Sequence, residues 1–231
     1  MGKTLAIVPC RAGSKGLARK NVKDFEGIPL FLWSVRAAQA SSLIDTVVVS
    51  TNDGEVMEVC KAENIEFVVR ADEISGDNSQ SYELIRDCLL RGSYVGRFER
   101  VVLLQPTTPL RERRDIDEAL LLMQKEGAAS VVSVVEARHP QTSLRLNDGC
   151  RVERMIKGYV SPLRQEREKV YVCNGAIYIS TVEAFMRTSS FINEGTIGYV
   201  MPRERSIDID TEIDMIIALA MKGYLEKERC L

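Results

Sequence analysis

Two carboxylates one residue apart make the sharpest chemical feature of the chain. In Ser206-Ile207-Asp208-Ile209-Asp210-Thr211-Glu212, extended alternation puts Ile207 and Ile209 on one face and Asp208 and Asp210 on the other. Such carboxylates repel unless a shared proton or a hard divalent cation lies between them. Mg²⁺ held by one or two carboxylates plus substrate phosphates suits the pair. Two other readings stay open. Asp210 stands where it would cap a following helix, and Asp-x-Asp also occurs in glycosyltransferases.

A second cluster is Arg11-Ala12-Gly13-Ser14-Lys15-Gly16-Leu17-Ala18-Arg19-Lys20-Asn21. Gly13 and Gly16 let backbone N–H groups approach an anion, and Arg11, Lys15, Arg19 and Lys20 supply charge. The spacing matches neither G-x-x-x-x-G-K-[ST] nor G-x-G-x-x-G, which removes the phosphate-loop ATPase and dehydrogenase fingerprints. Its place directly after the first apolar run favours a triphosphate cradle over a solvated basic loop. Two further loops are polar. Arg70 to Ser81 is weak on its own. Gln105-Pro106-Thr107-Thr108-Pro109-Leu110-Arg111 is stiffened by two prolines, and Gln105, Thr107 and Thr108 offer hydrogen bonds suited to sugar hydroxyls or to capping a helix. His139, followed by Pro140, reads as a structural loop residue, and Trp33 as core.

The elements that must hold these loops follow from periodicity. Thr4–Pro9, Thr46–Ser50, Glu66–Val69, Val101–Gln105 and Ser130–Val135 are β-branched or leucine-rich runs without polar alternation, as expected of strands buried on both faces. Leu30–Ala40, Gly54–Glu63, Ser81–Arg91 and Asp115–Lys125 carry apolar residues at helical spacing. The alternation predicts an α/β fold, a doubly wound and mostly parallel sheet. The rhythm breaks near Glu136. Residues 137–170 are polar and Arg-rich and predict a strand-and-loop insertion in a single domain spanning 1–231. Strands return at Asn174–Ile179 and Gly198–Met201, and Thr211–Lys227 predicts a closing helix with Ile213, Ile216, Ile217 and Ala220 as its stripe.

Composition narrows the partners. Lysine and arginine number 31 and aspartate and glutamate 33 among 231 residues, for a net charge of −2 with both signs interspersed. Neither nucleic acid nor a membrane surface is expected as partner. The first apolar run is too short for a signal sequence or a span. The six cysteines are scattered, without C-x-x-C or a nearby histidine, and read as reduced thiols of a cytoplasmic protein.

Taken together, IVPCRAGSKGLARKN, VVLLQPTTPLR, NGAIYI and SIDIDTEID resemble the acylneuraminate cytidylyltransferases, in order and over nearly the whole chain. Kdo cytidylyltransferases carry a proline-glycine-lysine stretch where this chain has ARKN, which favours a nine-carbon acid. Sialic, legionaminic and pseudaminic acid synthetases look alike at this level. The resemblance implies a Rossmann-like nucleotidyltransferase fold, a homodimer whose insertion at about 137–170 crosses to the partner, and attack of a nonulosonic acid hydroxyl on the α-phosphorus of CTP with Mg²⁺ (or Mn²⁺). It implies that Arg11, Gly13, Ser14 and Lys20 cradle the triphosphate, with Asn21 beside them. It places Arg70 and Ser81 at the cytidine and Gln105, Thr107, Thr108 and Tyr178 at the sugar. Asp208 and Asp210 would hold the metal, and Lys20, Arg11 and this pair would carry catalysis. Arg164 would reach the sugar carboxylate, often from the partner subunit. One departure is Val172, two positions before the Asn-Gly-Ala-Ile-Tyr run, where some relatives are basic; it shifts carboxylate binding towards Arg164 or Arg167. A non-catalytic nucleotide-sugar-binding protein and a glycosyltransferase remain the rival readings.

Overall fold

The computed structural model describes residues 2–13, 16–74, 76, 81–137, 143–155 and 168–229. Along the chain run β1 (Thr4–Cys10), β2 (Asp24–Phe25), β3 (Ile28–Pro29), α1 (Leu30–Gln39), β4 (Thr46–Thr51), α2 (Gly54–Ala62), β5 (Glu66–Val69) and α3 (Ser81–Arg91). They are followed by β6 (Arg100–Leu103), α4 (Arg113–Glu126), β7 (Ser130–Ala137), β8 (Leu144–Leu146), β9 (Val152–Arg154), β10 (Val170–Thr181), α5 (Val182–Thr188), β11 (Ile197–Val200) and α6 (Glu212–Arg229).

Seven strands form one sheet in the order β11-β7-β10-β6-β1-β4-β5. All are parallel except β10, which is antiparallel to both β6 and β7. The apolar runs lack polar alternation because both faces are covered. In β1, Ala6, Val8 and Cys10 enter one core with α1 and α4, while Leu5 and Ile7 enter another with α3 and α5. Full burial of the larger of these, Leu5, Ile7 and Val8, contributes about 1.5–3 kcal/mol each.

Winding reverses at β1. The chain moves outward through β4 and β5, then returns to place β6 on the other side of β1. Ligands of open α/β sheets bind at such a reversal, beyond the carboxyl ends of the strands. Strand β10 reaches the same edge with its first half, because Tyr178 pairs with Leu103 at the end of β6. A bulge between Cys173 and Tyr178 then carries Asn174–Ala176 past that end.

Two expectations change. The stripe Ile213, Ile216, Ile217 and Ala220 on α6 faces outward, with Ile213 68% and Ile216 65% exposed. The buried face is Met215 and Ala218, which pack with Ile209, Leu110 and Leu30. The helix has apolar residues on two sides, and the anchor at Ile209 decides which side turns inward. The strand expected at Asn174–Ile179 is the middle of the longer β10. Within the insertion, β8 and β9 pair as an antiparallel ribbon whose Leu144, Leu146 and Val152 are exposed. His139, Arg164 and Arg167 lie outside the described residues.

Candidate functional site

The loop after β1 is folded back by its own polar groups. Asn21, buried, donates from Nδ2 to the Arg11 carbonyl at 3.0 Å. The Ala12 N–H donates to Asn52 Oδ1 at 3.0 Å. Arg19 takes a left-handed backbone, φ 53°, and pairs with Glu55, outside the cleft lining. Lys20 turns the other way. Its Nζ donates to the Ile209 carbonyl and to Asp210 Oδ1, both at 2.9 Å, and its side chain is only 12% exposed. Loop and carboxylate segment are in close contact: a Cβ at Gly16 would stand 2.4 Å from the Asp210 carbonyl oxygen. Only glycine fits there.

The carboxylate segment belongs to no strand or helix. Before it, buried Arg205 donates to both oxygens of buried Asp115, Nε to Oδ2 at 3.0 Å and Nη2 to Oδ1 at 2.7 Å. Within it, the Ile209 N–H donates to the Thr107 carbonyl at 2.8 Å, which ties it to the loop after β6. After it, the helix cap is Thr211, not Asp210. Thr211 Oγ1 accepts from the Asp214 N–H, and Asp214 Oδ2 accepts from the Thr211 N–H at 2.8 Å, a reciprocal capping box. The capping alternative for Asp210 therefore falls away, and its carboxylate faces Lys20 and the cleft. Partial enclosure raises the Asp208 carboxyl above its ordinary range, opposed by a hydrogen bond from Thr107 and supported by the nearby Asp210. Two carboxylates opening onto a polar cleft suit a hard divalent ion whose other ligands are phosphate oxygens and water.

The cleft between these loops holds about 410 Å³, within the usual range for small-molecule sites. Arg11, Lys20, Asn21, Gln105, Thr107 and the two aspartates line it. Arg70, just after β5, also lines it; burial lowers its pKa, and its contacts to Ser50 are long, at 3.4–3.5 Å. A recess of about 250 Å³ adjoins it, with Gln105 on both linings. Its wall is aromatic: Tyr178, Phe185, Phe191 and Tyr82, with Tyr178 5.8 Å and Phe185 4.8 Å from Phe191 between ring centres. Burial pushes the Tyr178 hydroxyl up to about 12.

The residues expected from sequence are thus mostly gathered. Thr108 is the correction. It is fully buried, and its Oγ1 donates to the Gln105 carbonyl and accepts from Arg111, so it braces the loop beneath the site. Gly13 adopts φ 74° in the first loop but does not line the cleft. Ser14 lies outside the described residues, as does the side chain of Ser81, which opens α3. Sequence reasoning missed Asn174, Gly175 and the aromatic recess. Asn174 donates to Ser206 Oγ at 2.8 Å and accepts from Ser133 Oγ at 2.6 Å, linking the β10 bulge to the carboxylate segment. A Cβ on Gly175, φ 76°, would stand 2.8 Å from Gln105 Oε1 and 3.6 Å from Asp208 Oδ2. The Asn-Gly pair was the available signal. Among the described residues, no three metal-ligating side chains cluster, and no helix is long and apolar enough to cross a membrane.

Comparison with known proteins decides the family. The cytidylyltransferase family model matches residues 5–228. The chain belongs to that family. N-acylneuraminate cytidylyltransferase of Streptococcus agalactiae serotype V is 36% identical over 220 residues, 93% of this chain and 52% of that protein. The Escherichia coli O18:K1:H7 protein of the same name is 31% identical over 228 residues, 98% of this chain and 54% of its own length. Zebrafish N-acylneuraminate cytidylyltransferase B is 34% identical over 232 residues. The chain spans about half the length of these relatives. Among solved structures, CMP:2-keto-3-deoxy-manno-octonic acid synthetase complexed with CTP superposes with TM-score 0.71 at 16% identity, covering 96% of this chain and 99% of that one. The 4-diphosphocytidyl-2C-methyl-D-erythritol synthase of Anaerococcus prevotii gives 0.61 at 15%. These two establish a shared nucleotidyltransferase fold.

Proposed function

We propose that the chain transfers the cytidylyl group of CTP to the anomeric hydroxyl of a nonulosonic, sialic-acid-like sugar acid, releasing pyrophosphate (N-acylneuraminate cytidylyltransferase activity, EC 2.7.7.43). One observation carries the reading: a cationic loop, a carboxylate pair and an amide at the mouth of an aromatic recess share one cleft. The hydroxyl oxygen bonds to the α-phosphorus, the bond from that phosphorus to the β-bridging oxygen breaks, and the hydroxyl proton is lost to solvent or a base. Arg11 and Lys20 would neutralise the negative charge that builds on the triphosphate, and positioned charge of this kind is a large term in such transfers. Asp208 and Asp210 would hold Mg²⁺, which would neutralise triphosphate charge. Gln105 would orient the sugar, and the recess would take an apolar substituent such as an acyl group. Intact Lys20, Asp208 and Asp210 favour this reading over a non-catalytic binding protein. Pyrophosphate release from CTP, assayed with a panel of sialic, legionaminic, pseudaminic and Kdo acids, tests it. Release with a nine-carbon acid and not with Kdo is expected; CTP binding without release from any acid overturns it.

The same reading includes a cytoplasmic homodimer. Free Cys10, Cys60, Cys88, Cys150 and Cys173 suit a reducing compartment. The ribbon β8–β9 exposes Leu144, Leu146 and Val152 and has no core of its own, and a two-fold partner is the commonest cover for such a surface. Mixing inactive Arg164→Ala and Lys20→Ala chains should restore activity if Arg164 serves the partner's site. A monomer by light scattering, or no recovery after subunit exchange, rejects the shared site.

A further inference from the structure

Among the described residues, Arg111 stands beneath the cleft without a carboxylate partner. It is 3% exposed, and every hydrogen bond it makes goes to a neutral oxygen. Nη1 donates to the Ala176 carbonyl at 2.7 Å, to Thr108 Oγ1 at 3.1 Å and, weakly, to the Gln105 carbonyl at 3.4 Å. Nη2 donates to Ser34 Oγ at 2.5 Å. Among the described residues, its buried Nε has no hydrogen-bond partner. Burial lowers its pKa to about 10, with Asp115 the charge that opposes the shift. A buried cation satisfied only by dipoles is an expensive device for stability alone.

What the arginine joins is informative. The Gln105 carbonyl accepts from Ser34 Oγ at 3.0 Å and from Thr108 Oγ1 at 3.2 Å, and both hydroxyls in turn accept from Arg111. The Ala176 carbonyl belongs to the β10 bulge, one residue after Gly175, whose missing Cβ makes room for the Gln105 amide. The guanidinium therefore fixes the backbone of Gln105 and, separately, the surface against which the Gln105 side chain rests. Among the described residues, its hydrogen bonds go to Gln105, Thr108, Ala176 and Ser34, on the sugar side of the cleft.

We infer that Arg111 is a positioning residue for the sugar acid: it holds Gln105 and the β10 bulge in register, so that the amide and the recess meet one substrate in one geometry. Its influence should fall on the acid and not on the nucleotide. This inference rests on the proposed cytidylyl transfer.

The experiment is steady-state pyrophosphate release with each substrate varied in turn, on wild type, Arg111→Lys, Arg111→Ala and Ser34→Ala, alongside CTP binding by calorimetry. Arg111→Ala should raise KM for the sugar acid by about tenfold or more with CTP affinity unchanged within about twofold. Arg111→Lys, which keeps the charge but lacks the second nitrogen that bonds Ser34, should lie between it and wild type. Millimolar methylguanidine should recover part of the loss in Arg111→Ala and none in Ser34→Ala. If Arg111→Ala does not fold, Arg111→Lys and Ser34→Ala decide on the same readings. Equal losses for acid and CTP, or wild-type KM for the acid in Arg111→Lys and Ser34→Ala, would overturn the inference. Absence of turnover in wild type with every acid would instead reject the proposed activity.

Discussion

The two walls of the cleft are held by different chemistry. The wall bearing Asp208 and Asp210 is cross-linked by charges: Arg205 to Asp115, Lys20 to Asp210 and Lys23 to Glu212. The wall bearing Gln105 and Tyr178 is held by uncharged acceptors around Arg111 and by aromatic packing. The first wall pairs its charges, Lys20 with Asp210 at the cleft itself; the second fixes shape. The contrast suggests a division of labour, with charge neutralisation on one side and substrate geometry on the other.

The buried pair beneath the first wall should give the largest effect. Asp115→Ala leaves Arg205 buried and without its carboxylate, and it also removes the acceptor of the Glu112 N–H at 2.9 Å. Breaking one side of a buried pair costs about 3–5 kcal/mol. Denaturant unfolding should register that loss; a change below about 1 kcal/mol would mean that the wall does not depend on its ion pair.

Asp210→Asn comes next and should separate chemistry from folding. Thr211 and Asp214 cap α6 without it, so the melting temperature should move little. Turnover should fall about 10²-fold or more, as when one transition-state electrostatic partner is removed. Full activity in this variant, or in excess EDTA, would dismiss the metal role. Lys20 differs from an ordinary surface lysine. Its side chain is nearly enclosed and bonds the Ile209 carbonyl, so Lys20→Ala should lose both CTP affinity and about 1 kcal/mol of stability.

These contrasts mark what was legible beforehand. The runs TVVVS and VVLLQ were readable as strands because burial on both faces leaves no polar alternation. The first loop and the aspartate pair were readable because their chemistry lies within a few consecutive residues. Thr108 was not: whether a hydroxyl faces a ligand or a neighbouring carbonyl depends on backbone rotation, which spacing does not encode. Arg111 was not either, since its acceptors Ala176 and Ser34 lie 65 and 77 residues away. In α6 the pattern of Ile213, Ile216 and Ile217 identified a helix, but a stripe does not say which side meets the core.

Gly175→Ala tests the second wall with a smaller perturbation. A left-handed backbone costs a non-glycine residue about 1–2 kcal/mol, and the new methyl would displace the Gln105 amide from 2.8 Å. A modest fall in stability should accompany a raised KM for the sugar acid, with the KM for CTP preserved. A rise in KM for CTP instead would place the bulge on the nucleotide side and blur the distinction between the walls.

The smallest effect concerns protons on the first wall, where Asp208 and Asp214 shift in opposite directions. Enclosure raises Asp208 above its ordinary 3.8, whereas the Thr211 hydroxyl and the N–H groups of Thr211 and Asp210 lower Asp214. A carboxyl raised in the folded state favours the protonated protein, so its ionisation destabilises the ligand-free fold as pH rises from the unfolded value through the folded one. A lowered carboxyl does the reverse: its contribution is present above the unfolded value and is lost as pH falls through the folded one. Asp208→Asn should therefore match wild type at the acidic end and become the more stable chain as pH rises, while losing turnover. Asp214→Asn should be less stable at neutral pH and converge with wild type in acid. Thermal melts of both variants across the acidic range read this directly. Parallel curves would mean that the two aspartates share one environment, and that the carboxylate wall ends at the cap and not at the cleft.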